Sequence, residues 1–390
     1  MNTDILSKEV QEYINNNLEA DITKLVLKGS PFNNISTTDL IEQIEAKKKC
    51  KTKLPTWFKT ANIYYPNKLN IEQTSSEETA KHKLNIISGN RIIDLTGGYG
   101  VDCVEFSKNF DSVIHCELNN ELSEKVAHNI KQFGIPNITC IKGDSIKTLD
   151  KLTEKLDCIY VDPSRRHDTK GKVFLLKDCL PNVPEHLDLM FSKANSILIK
   201  NSPLIDITSC INELKYVKEF HIIALNNEVK EVLVLLEKDY EADIKIISTN
   251  LGKVHEEFKF TYNTNYEVTF NTPLNYLYEP NSAILKGGGF NAIANKLNIA
   301  KLHKHSHLYT SSELQNFPGR VFKIDKIVPY NKKKLLKEIP SKKANITIRN
   351  FKESVAAIRK KTGIKEGGDI YLFCTTNSNN EQIVIICSKV

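Results

Sequence analysis

The sequence predicts an α/β protein built around a mostly parallel sheet, and two observations carry this prediction. Between Arg91 and about Lys238, short apolar runs alternate with amphipathic stretches, which is the pattern of parallel strands joined by crossover helices. The last two apolar runs are separated only by residues 226–230. That connection is too short for a helical crossover, so we expect these two strands to form an antiparallel hairpin at one edge of the sheet.

The N-terminal part, residues 1–85, has a helical pattern and no long apolar strand. One helix is predicted to begin after Ser36, where hydroxyl caps precede acidic residues, and to stop before Leu54-Pro55. A second helical run begins near Thr74. The predicted strands follow: Arg91–Thr96, Ser112–Glu117, Ile138–Lys142, Asp157–Val161, Ser196–Lys200, Glu219–Leu225 and Glu231–Glu237.

The chain has 390 residues, which is long for one domain, and we divide it into four parts. These are a helical segment (1–85), the α/β domain (86–240), a strand-rich segment with one helix after Pro280 (241–319) and a basic segment of strands and one helix at Phe351–Lys361 (320–390). Hydrophobic residues make up 40% of the chain and charged residues 26%, as in ordinary globular proteins.

A cytoplasmic location is expected from the sequence. No run of about 18 apolar residues occurs, and the first residues lack the basic and then apolar pattern of a secretory signal, so no membrane partner is expected. The nine cysteines form no C-x-x-C pair, and several lie in apolar runs. We therefore expect reduced, mostly buried thiols.

The net charge of +7 is unevenly distributed. From Arg320 to Glu366 there are 15 Lys and Arg residues against four acidic residues, a local net charge of +11, which leaves −4 on the rest of the chain. A basic segment joined to a mildly acidic body suggests a module that binds a polyanion, although a charge run can also be only a solvated surface.

A glycine-rich loop directly follows the first predicted strand. Asp94-Leu-Thr-Gly-Gly-Tyr-Gly contains three glycines that allow a tight turn and a close approach of the backbone to a ligand. Glu117 ends the second strand, where a carboxylate can accept both hydroxyl groups of a ribose. Asp144 and Asp162 close the third and fourth strands. Four such features at the carboxyl ends of successive strands indicate a ligand site.

Two classes of nucleotide site do not fit this pattern. A nicotinamide dehydrogenase requires G-x-G-x-x-G, whereas the spacing here is Gly97-Gly98-x-Gly100-x-Asp102. A Walker-type site requires G-x-x-x-x-G-K-[S/T], which the sequence does not contain. What remains is a nucleoside ligand without phosphates to bind.

These residues resemble a known family. The segment Asp94–Asp102 with Glu117, Asp144 and Asp162-Pro163 is similar to the ordered motifs of class I S-adenosylmethionine-dependent methyltransferases, and the terminal hairpin resembles their reversed seventh strand. Further motifs resemble bacterial members that carry a ferredoxin-like segment and a THUMP-like C-terminal domain: Gln73–Glu77, Glu279-Pro-Asn281, Ser306–Thr310, Lys343–Thr347 and Glu366–Asp369. The resemblance implies a Rossmann-like seven-stranded sheet and S-adenosyl-L-methionine as the cofactor.

The resemblance also implies roles for individual residues. Asp94 and the Gly97–Gly100 backbone would hold the methionine part of the cofactor, Glu117 the ribose and Asp144 the adenine, while Ser76 and Glu77 would cover the methionine end. The full set of cofactor-binding candidates is Ser76, Glu77, Asp94, Thr96, Gly97, Gly98, Gly100, Asp102, Glu117, Leu118, Asp144 and Ser145.

The candidate catalytic residues are Asp162, Pro163, Ser164 and Arg165, which would face the acceptor. Enzymes that methylate an exocyclic base amine use Asp/Asn-Pro-Pro-aromatic at this place, where the aromatic ring stacks on the base. This chain has Ser164 in place of the second proline and Arg165 in place of the aromatic residue. The methylated atom therefore stays open, as does a role of Arg165 in stacking, in clamping an anion or in fixing its own loop together with Arg166.

RNA is the expected partner of the basic C-terminal segment, because THUMP domains of related enzymes bind structured RNA. Candidate phosphate contacts are Lys332, Lys333, Lys334, Lys342, Lys343, Arg349, Arg359, Lys360 and Lys361. A methyltransferase for small molecules or proteins and a non-catalytic RNA-binding protein are the alternatives. His303, His305 and His307 alternate, but no nearby carboxylate or cysteine completes a ligand set, so no metal is expected. The sequence leaves the oligomeric state open.

Overall fold

A computed structural model describes residues 1–165 and 175–390, with Arg165 described through its backbone only. The chain forms two compact units. The first contains residues 1–220 and 231–242, and the second contains residues 221–230 and 243–390. The finer division at about 85, 240 and 319 stays a prediction.

Short helices make up the N-terminal part of the first unit. After a 3-10 turn at Thr3–Leu6 they are α1 (Lys8–Asn16), α2 (Ile22–Lys28), α3 (Thr37–Lys53), α4 (Pro55–Lys59), α5 (Lys68–Gln73) and α6 (Glu77–Lys83). The predicted start of α3 is confirmed, because the Ser36 hydroxyl accepts a hydrogen bond from the Asp39 N–H at 3.0 Å. Helix α3 ends before Leu54, and Pro55 begins α4.

Strands alternate with helices from Arg91 onwards, as the sequence predicts, and the series ends in a hairpin whose residues 221–230 belong to the second unit. The strands are β1 (Arg91–Asp94), β2 (Ser112–Glu117), β3 (Ile138–Lys142), β4 (Leu156–Val161), β5 (Ser164–Arg165), β6 (Cys179–Leu180), β7 (Ala194–Asn201), β8 (Val217–Leu225) and β9 (Glu228–Glu237). The helices are α7 (Val101–Phe106), α8 (Asn120–Gln132), α9 (Ser145–Lys151), α10 (Val183–Lys193) and α11 (Ile207–Glu213), with a 3-10 turn at Leu176–Asp178.

Seven strands of the sheet have the order β8-β9-β7-β4-β1-β2-β3, and two further strands, described below as β10 and β11, continue the same sheet beyond β8, so that it has nine strands. Strands β7, β4, β1, β2 and β3 are parallel to one another, and β9 is antiparallel to β7. The predicted hairpin is confirmed, but its predicted place at the edge of the sheet was wrong, because β8 has a further neighbouring strand on its other side. Its turn is also shorter than expected. Only Asn226 and Asn227 separate β8 from β9, and both have positive φ values of 52° and 64°, which asparagine tolerates better than other non-glycine residues.

The second unit is built mainly from antiparallel strands. They are β10 (Lys245–Leu251), β11 (Glu256–Thr261), β12 (Tyr276–Pro280), β13 (Ala300–Lys301), β14 (Tyr309–Ser311), β15 (Gly319–Pro329), β16 (Asn345–Arg349), β17 (Tyr371–Thr376) and β18 (Gln382–Lys389). A seven-stranded sheet has the order β13-β14-β12-β15-β18-β17-β16, in which only the β16–β17 pair is parallel.

Four helices accompany these strands: α12 (Ser282–Gly287), α13 (Phe290–Lys296), α14 (Lys332–Glu338) and α15 (Val355–Thr362). The prediction of one helix after Pro280 was wrong, because Gly288 adopts a left-handed conformation with φ +77° and ends α12 before α13 begins. The basic helix near 351–361 is confirmed but begins later, at Val355, where the Ser354 side chain caps it. No helix among the described residues is long and apolar enough to cross a bilayer.

Candidate active site

The carboxyl ends of β1, β2, β3 and β4 meet at one edge of the sheet and bring the predicted acidic residues together. Asp94 lies beside His115 on one neighbouring strand and beside Tyr160 on the other. Glu117 ends β2 opposite Lys142, and Asp144 follows β3 by two residues. Parallel neighbours force this arrangement, because their carboxyl ends point the same way.

Asp94 is buried and holds the beginning of the glycine-rich loop. Its side chain is 2% exposed, and Oδ1 accepts hydrogen bonds from the Thr96 N–H at 2.8 Å and the Thr96 hydroxyl at 3.2 Å. Thr96 Oγ1 in turn accepts from the Asp162 N–H at 2.7 Å. These bonds join the ends of β1 and β4. They also explain why β1 stops at Asp94 rather than at the predicted Thr96, since the chain turns there to bond its own aspartate.

Burial raises the pKa of Asp94 to about 7, and the nearby carboxylates of Asp102 and Asp162 act in the same direction. The Thr96 N–H opposes this shift. A thiol also lies against the carboxyl group, with Cys103 Sγ 3.4 Å from Asp94 Oδ2. The first acidic residue of the site therefore titrates near neutral pH.

The glycines of the loop are packed on one side and open on the other. A Cβ atom at Gly97 would lie 2.3 Å from His115 Nε2, whereas a Cβ atom at Gly98 would meet nothing closer than 3.7 Å. Gly98 and Gly100 have positive φ values of 51° and 77°. His115 is fully buried beneath the loop, and burial lowers its pKa, so the ring is neutral at pH 7.

Glu117 contacts the same loop. Its Oε2 accepts the Gly98 N–H at 2.9 Å, and Oε1 accepts the Asn119 N–H at 2.7 Å. Leu118 is 75% exposed beside it. Asp144 caps α9 by accepting the N–H groups of Ile146 and Lys147 at 3.0 and 3.2 Å, and Ser145 begins that helix. Both carboxylates thus keep accessible positions at the sheet edge.

The two N-terminal candidates lie in helix-forming contacts. Ser76 caps α6 in a reciprocal arrangement with Thr79, and the Glu77 carboxylate accepts from the N–H and hydroxyl of Thr56 on α4. The adjacent Ser75 is the residue that reaches the loop region, with its hydroxyl 2.9 Å from Asp102 Oδ2. Because the capped helix starts at Glu77, Thr74 and Ser75 precede α6 instead of beginning it.

A buried charge cluster lies under the site, and sequence reasoning missed most of it. Lys83 Nζ is 3.0 Å from Asp102 Oδ1 and 2.9 Å from Glu231 Oε1, and the Tyr160 hydroxyl donates to Asp102 Oδ2 at 3.0 Å. Burial opposes the charge on Asp102, but the ammonium groups of Lys83 and Lys200 outweigh it and lower the Asp102 pKa. No local pattern marks Lys83 or Glu231, because their partners come from distant elements.

Asp162 is paired with a second buried lysine. Lys200 lies at the end of β7, is 9% exposed, and its ammonium contacts Asp162 Oδ2. Burial disfavours the charge on Lys200, but the carboxylates of Asp162, Asp102 and Glu231 outweigh burial and raise its pKa above the usual value. The lysine therefore remains protonated.

The other catalytic candidates follow Asp162 directly. Pro163 is buried and Ser164 is exposed, and Ser164 and Arg165 form β5, which pairs with β6. The Arg165 side chain and Arg166 lie outside the described residues. Their proposed roles toward the acceptor therefore stay predictions.

The candidate RNA contacts fall into two groups in the second unit. Arg349 and Arg320 both pair with the buried Glu279, Arg359 pairs with Glu366, and Lys361 pairs with Glu353 at 3.0 Å. The other candidates are exposed and have no ion-pair partner among the described residues: Lys332, Lys333, Lys334, Lys342, Lys343 and Lys360. Arg349, Arg359 and Lys361 thus already serve the packing of this unit.

The sheet order, the antiparallel β9 and the glycine-rich loop after β1 together define a class I methyltransferase fold. Family models agree with this. One described as RNA cap guanine-N2 methyltransferase matches residues 89–166, one for a ferredoxin-like domain matches 276–318, and one described as THUMP domain-like matches 319–389. The chain thus has the fold of a class I methyltransferase and contains regions that match a ferredoxin-like and a THUMP-like domain.

One solved structure matches the fold over the whole chain. A candidate methyltransferase from Porphyromonas gingivalis W83 is 29% identical, with a TM-score of 0.88, over 100% of this chain and 98% of that one. An rRNA methylase from Streptococcus thermophilus is 17% identical over 41% of this chain and 95% of that one, with a TM-score of 0.31. A candidate methyltransferase from Streptococcus mutans, solved in complex with SAH, is 16% identical over 41% and 96%, with a TM-score of 0.31. No curated protein matches the chain.

Proposed function

We propose that this methyltransferase uses S-adenosylmethionine and acts on RNA in the cytoplasm. The observation that carries the proposal is the position of the Glu117 carboxylate against the Gly98 backbone at the carboxyl edge of the sheet, 2.9 Å apart. Open α/β sheets bind nucleoside ligands at this edge, and a carboxylate at the end of the second strand suits a ribose.

The loop fits such a ligand on its open side. Gly97 is closed off by His115, but the space at Gly98 lets a ligand approach the backbone without a Cβ clash. In the proposal, Asp94, Thr96, Gly97, Gly98, Gly100 and Asp102 surround the methionine part, Glu117 and Leu118 the ribose, and Asp144 and Ser145 the adenine. Ser76 and Glu77, at the start of α6, cover the methionine end.

When bound, S-adenosylmethionine supplies a methyl group on a sulfonium sulfur that a nucleophile can displace directly. The chain then has to align the acceptor with that methyl group and exclude water, and little acid–base chemistry is needed. Asp162 is suited to orient the acceptor, because Lys200 fixes its carboxylate. Pro163, Ser164 and Arg165 would form the adjoining wall.

RNA as the acceptor is supported by two features. The family model matched by residues 89–166 is that of an RNA methyltransferase, and the C-terminal domain is THUMP-like. Six exposed lysines of that domain have no acidic partner among the described residues and can contact phosphates without regard to sequence. The nine free cysteines, eight of them buried, suit a reducing compartment.

The proposal is tested with S-adenosylmethionine carrying a tritiated methyl group. The purified chain is incubated with a lysate of cells that lack it, and the product is separated into RNA, protein and small molecules. We expect label in RNA, and loss of that label with Asp94→Asn. The matched control is Asp188→Asn, the same change at a carboxylate that is 91% exposed on α10.

Each result of this experiment has a defined meaning. Label in protein or small molecules alone would contradict RNA as the acceptor. Equal labelling of RNA by the wild type and Asp94→Asn would contradict the proposed cofactor site. Calorimetric titration with S-adenosylmethionine distinguishes a binding defect from a defect in transfer, since Asp94→Asn should weaken binding itself.

A further inference from the structure

A second cleft lies in the second unit, far along the chain from the methyltransferase motifs. It has a volume of about 560 Å³ and is lined by residues of 260–307, including Lys301, Lys304, His305 and His307. We call it the lysine–histidine cleft. No Asp or Glu is among its lining residues in the described part of the chain, although Asp and Glu account for 47 of the 390 residues.

Lys301 is a buried cation with no acidic partner. It is 2% exposed, and its ammonium donates to Asn291 Oδ1 at 2.8 Å and to the Lys304 carbonyl at 3.4 Å. Among the described residues it forms no ion pair, and an ammonium has three protons to donate. Burial lowers its pKa, and no carboxylate offsets that shift. A buried, unpaired ammonium is costly, so an anion in the cleft would stabilise it.

His307 also lies in the positive electrostatic potential of this cleft. Its backbone has φ +50°, and its ring stacks on Phe290 with 3.7 Å between centroids, so the ring is held in place. Its Nδ1 is buried without a hydrogen-bond partner among the described residues. Burial, followed by the charges of Lys301, His305 and Arg349, lowers the His307 pKa to about 4.

An adjoining cleft of about 640 Å³ shares His305 and His307 and also has no acidic lining residue in the described part of the chain. Lys352 adds positive charge to it, and Arg349, which pairs with Glu279, also lines it. Tyr262 and Tyr266 line the first cleft, and aromatic rings of this kind can stack on nucleobases. The combined size exceeds what a single inorganic anion needs and suits a nucleotide.

We propose that the lysine–histidine cleft binds a phosphate group of a nucleotide ligand, with Lys301 as its buried cation and Lys304 at its entrance. The phosphate comes either from a phosphodiester of RNA or from a free nucleotide. The RNA source rests on the proposed function, whereas the phosphate chemistry does not. This assigns phosphate recognition to a surface other than the lysines of α14 and α15.

The test measures binding rather than methyl transfer, so its failure is distinguishable from failure of the proposed function. A fluorescein-labelled single-stranded 12-nucleotide oligouridylate is titrated with the full chain by anisotropy, and AMP and inorganic phosphate are titrated by calorimetry. The variants are Lys301→Met and Lys304→Glu. The control is Lys253→Glu, an exposed lysine of the same unit that lines neither cleft.

We expect Lys301→Met and Lys304→Glu each to weaken binding of the phosphate ligand about tenfold or more, and Lys253→Glu to change it less than twofold. Lys301→Met should also unfold at an equal or higher temperature than the wild type, because it removes an unpaired buried charge. A merely structural role for Lys301 predicts the opposite shift. Lys304→Glu replaces an exposed side chain, so it tests the site even if Lys301→Met does not fold.

The titrations with the three ligands identify the source of the phosphate. Loss of oligouridylate binding in both variants supports a phosphodiester, and loss of AMP or phosphate binding with unchanged oligouridylate binding supports a free nucleotide. The proposal is overturned if both variants bind all three ligands within twofold of the wild type. It is also overturned if the wild type binds none of them.

Discussion

At the scale of single residues, the site depends on pairs whose members come from different strands. Asp162 directly follows β4 and Lys200 is the next-to-last residue of β7, and the parallel register of these strands brings the two side chains into contact. Neither motif nor spacing connects them in the sequence. We regard Lys200 as a positioning residue that acts through the Asp162 carboxylate.

This role predicts that substitutions of Lys200 and Asp162 have non-additive effects on the rate of methyl transfer. Lys200→Met should lower kcat for methyl transfer by about tenfold or more with little change in the KM for S-adenosylmethionine, because an unfixed carboxylate orients the acceptor poorly. Lys200→Arg should recover part of the loss. In an Asp162→Asn background, Lys200→Met should cause little further loss. If the fold-decrease in kcat of the double variant equals the product of the two single decreases, Lys200 acts independently of Asp162.

The raised pKa of Asp94 predicts that the stability of the fold depends on pH. Its pKa is about 7 in the folded chain and about 3.9 in an unfolded one, so the folded state binds more protons between these values. Its contribution to the free energy of unfolding is therefore greatest below pH 4 and falls as pH rises to 7, by up to about 4 kcal/mol.

Asp94→Asn removes this titration. The free energy of unfolding of the variant, relative to the wild type, should increase between pH 5 and pH 8. Urea unfolding followed through Trp57, the single tryptophan, measures the first unit, in which Asp94 lies. A difference that does not change with pH would show that Asp94 titrates at its ordinary value.

At the scale of elements, α6 is fixed to the sheet by one buried lysine. Lys83 is fully buried and lies between Asp102 of α7 and Glu231 of β9. Helix α6 has only seven residues, so it depends on such tertiary contacts rather than on its own propensity. The same contacts hold Ser75 against Asp102 beneath the glycine-rich loop.

Lys83→Met should lower the free energy of unfolding by roughly 3–5 kcal/mol, because two buried carboxylates would lose their counter-charge. The matched control is Lys81→Met on the same helix, an exposed lysine that should change stability by less than about 0.5 kcal/mol. Urea unfolding followed through Trp57 measures both. Equal effects of the two substitutions would contradict the anchoring role of Lys83.

At the scale of the whole molecule, the structure redistributes the charge that the sequence concentrates between Arg320 and Glu366. Five of the 15 cations in this segment pair with acidic residues, and two of them share the buried Glu279. The cationic face open to a polyanion is therefore smaller than the sequence suggests. A second cationic surface arises at Lys301–His307, outside that segment.

The sequence by itself determined the order of strands and helices in the α/β domain, the terminal hairpin and the placement of Asp94, Glu117, Asp144 and Asp162 at strand ends. Apolar periodicity and glycine, proline and cap residues act over a few neighbouring positions, so they can be recognised locally. Ser112–Glu117 and Ile138–Lys142 have the predicted bounds for this reason.

Only the tertiary structure decided which side chains meet beneath those strand ends. Lys83 meets Glu231 across 148 positions, and Lys200 meets Asp162 across 38. Lys301 is buried because β13 pairs into the sheet of the second unit, although a lysine is usually exposed. Burial changes the energy of a charge far more than the residue type does, and burial is a property of the packed chain rather than of its local sequence.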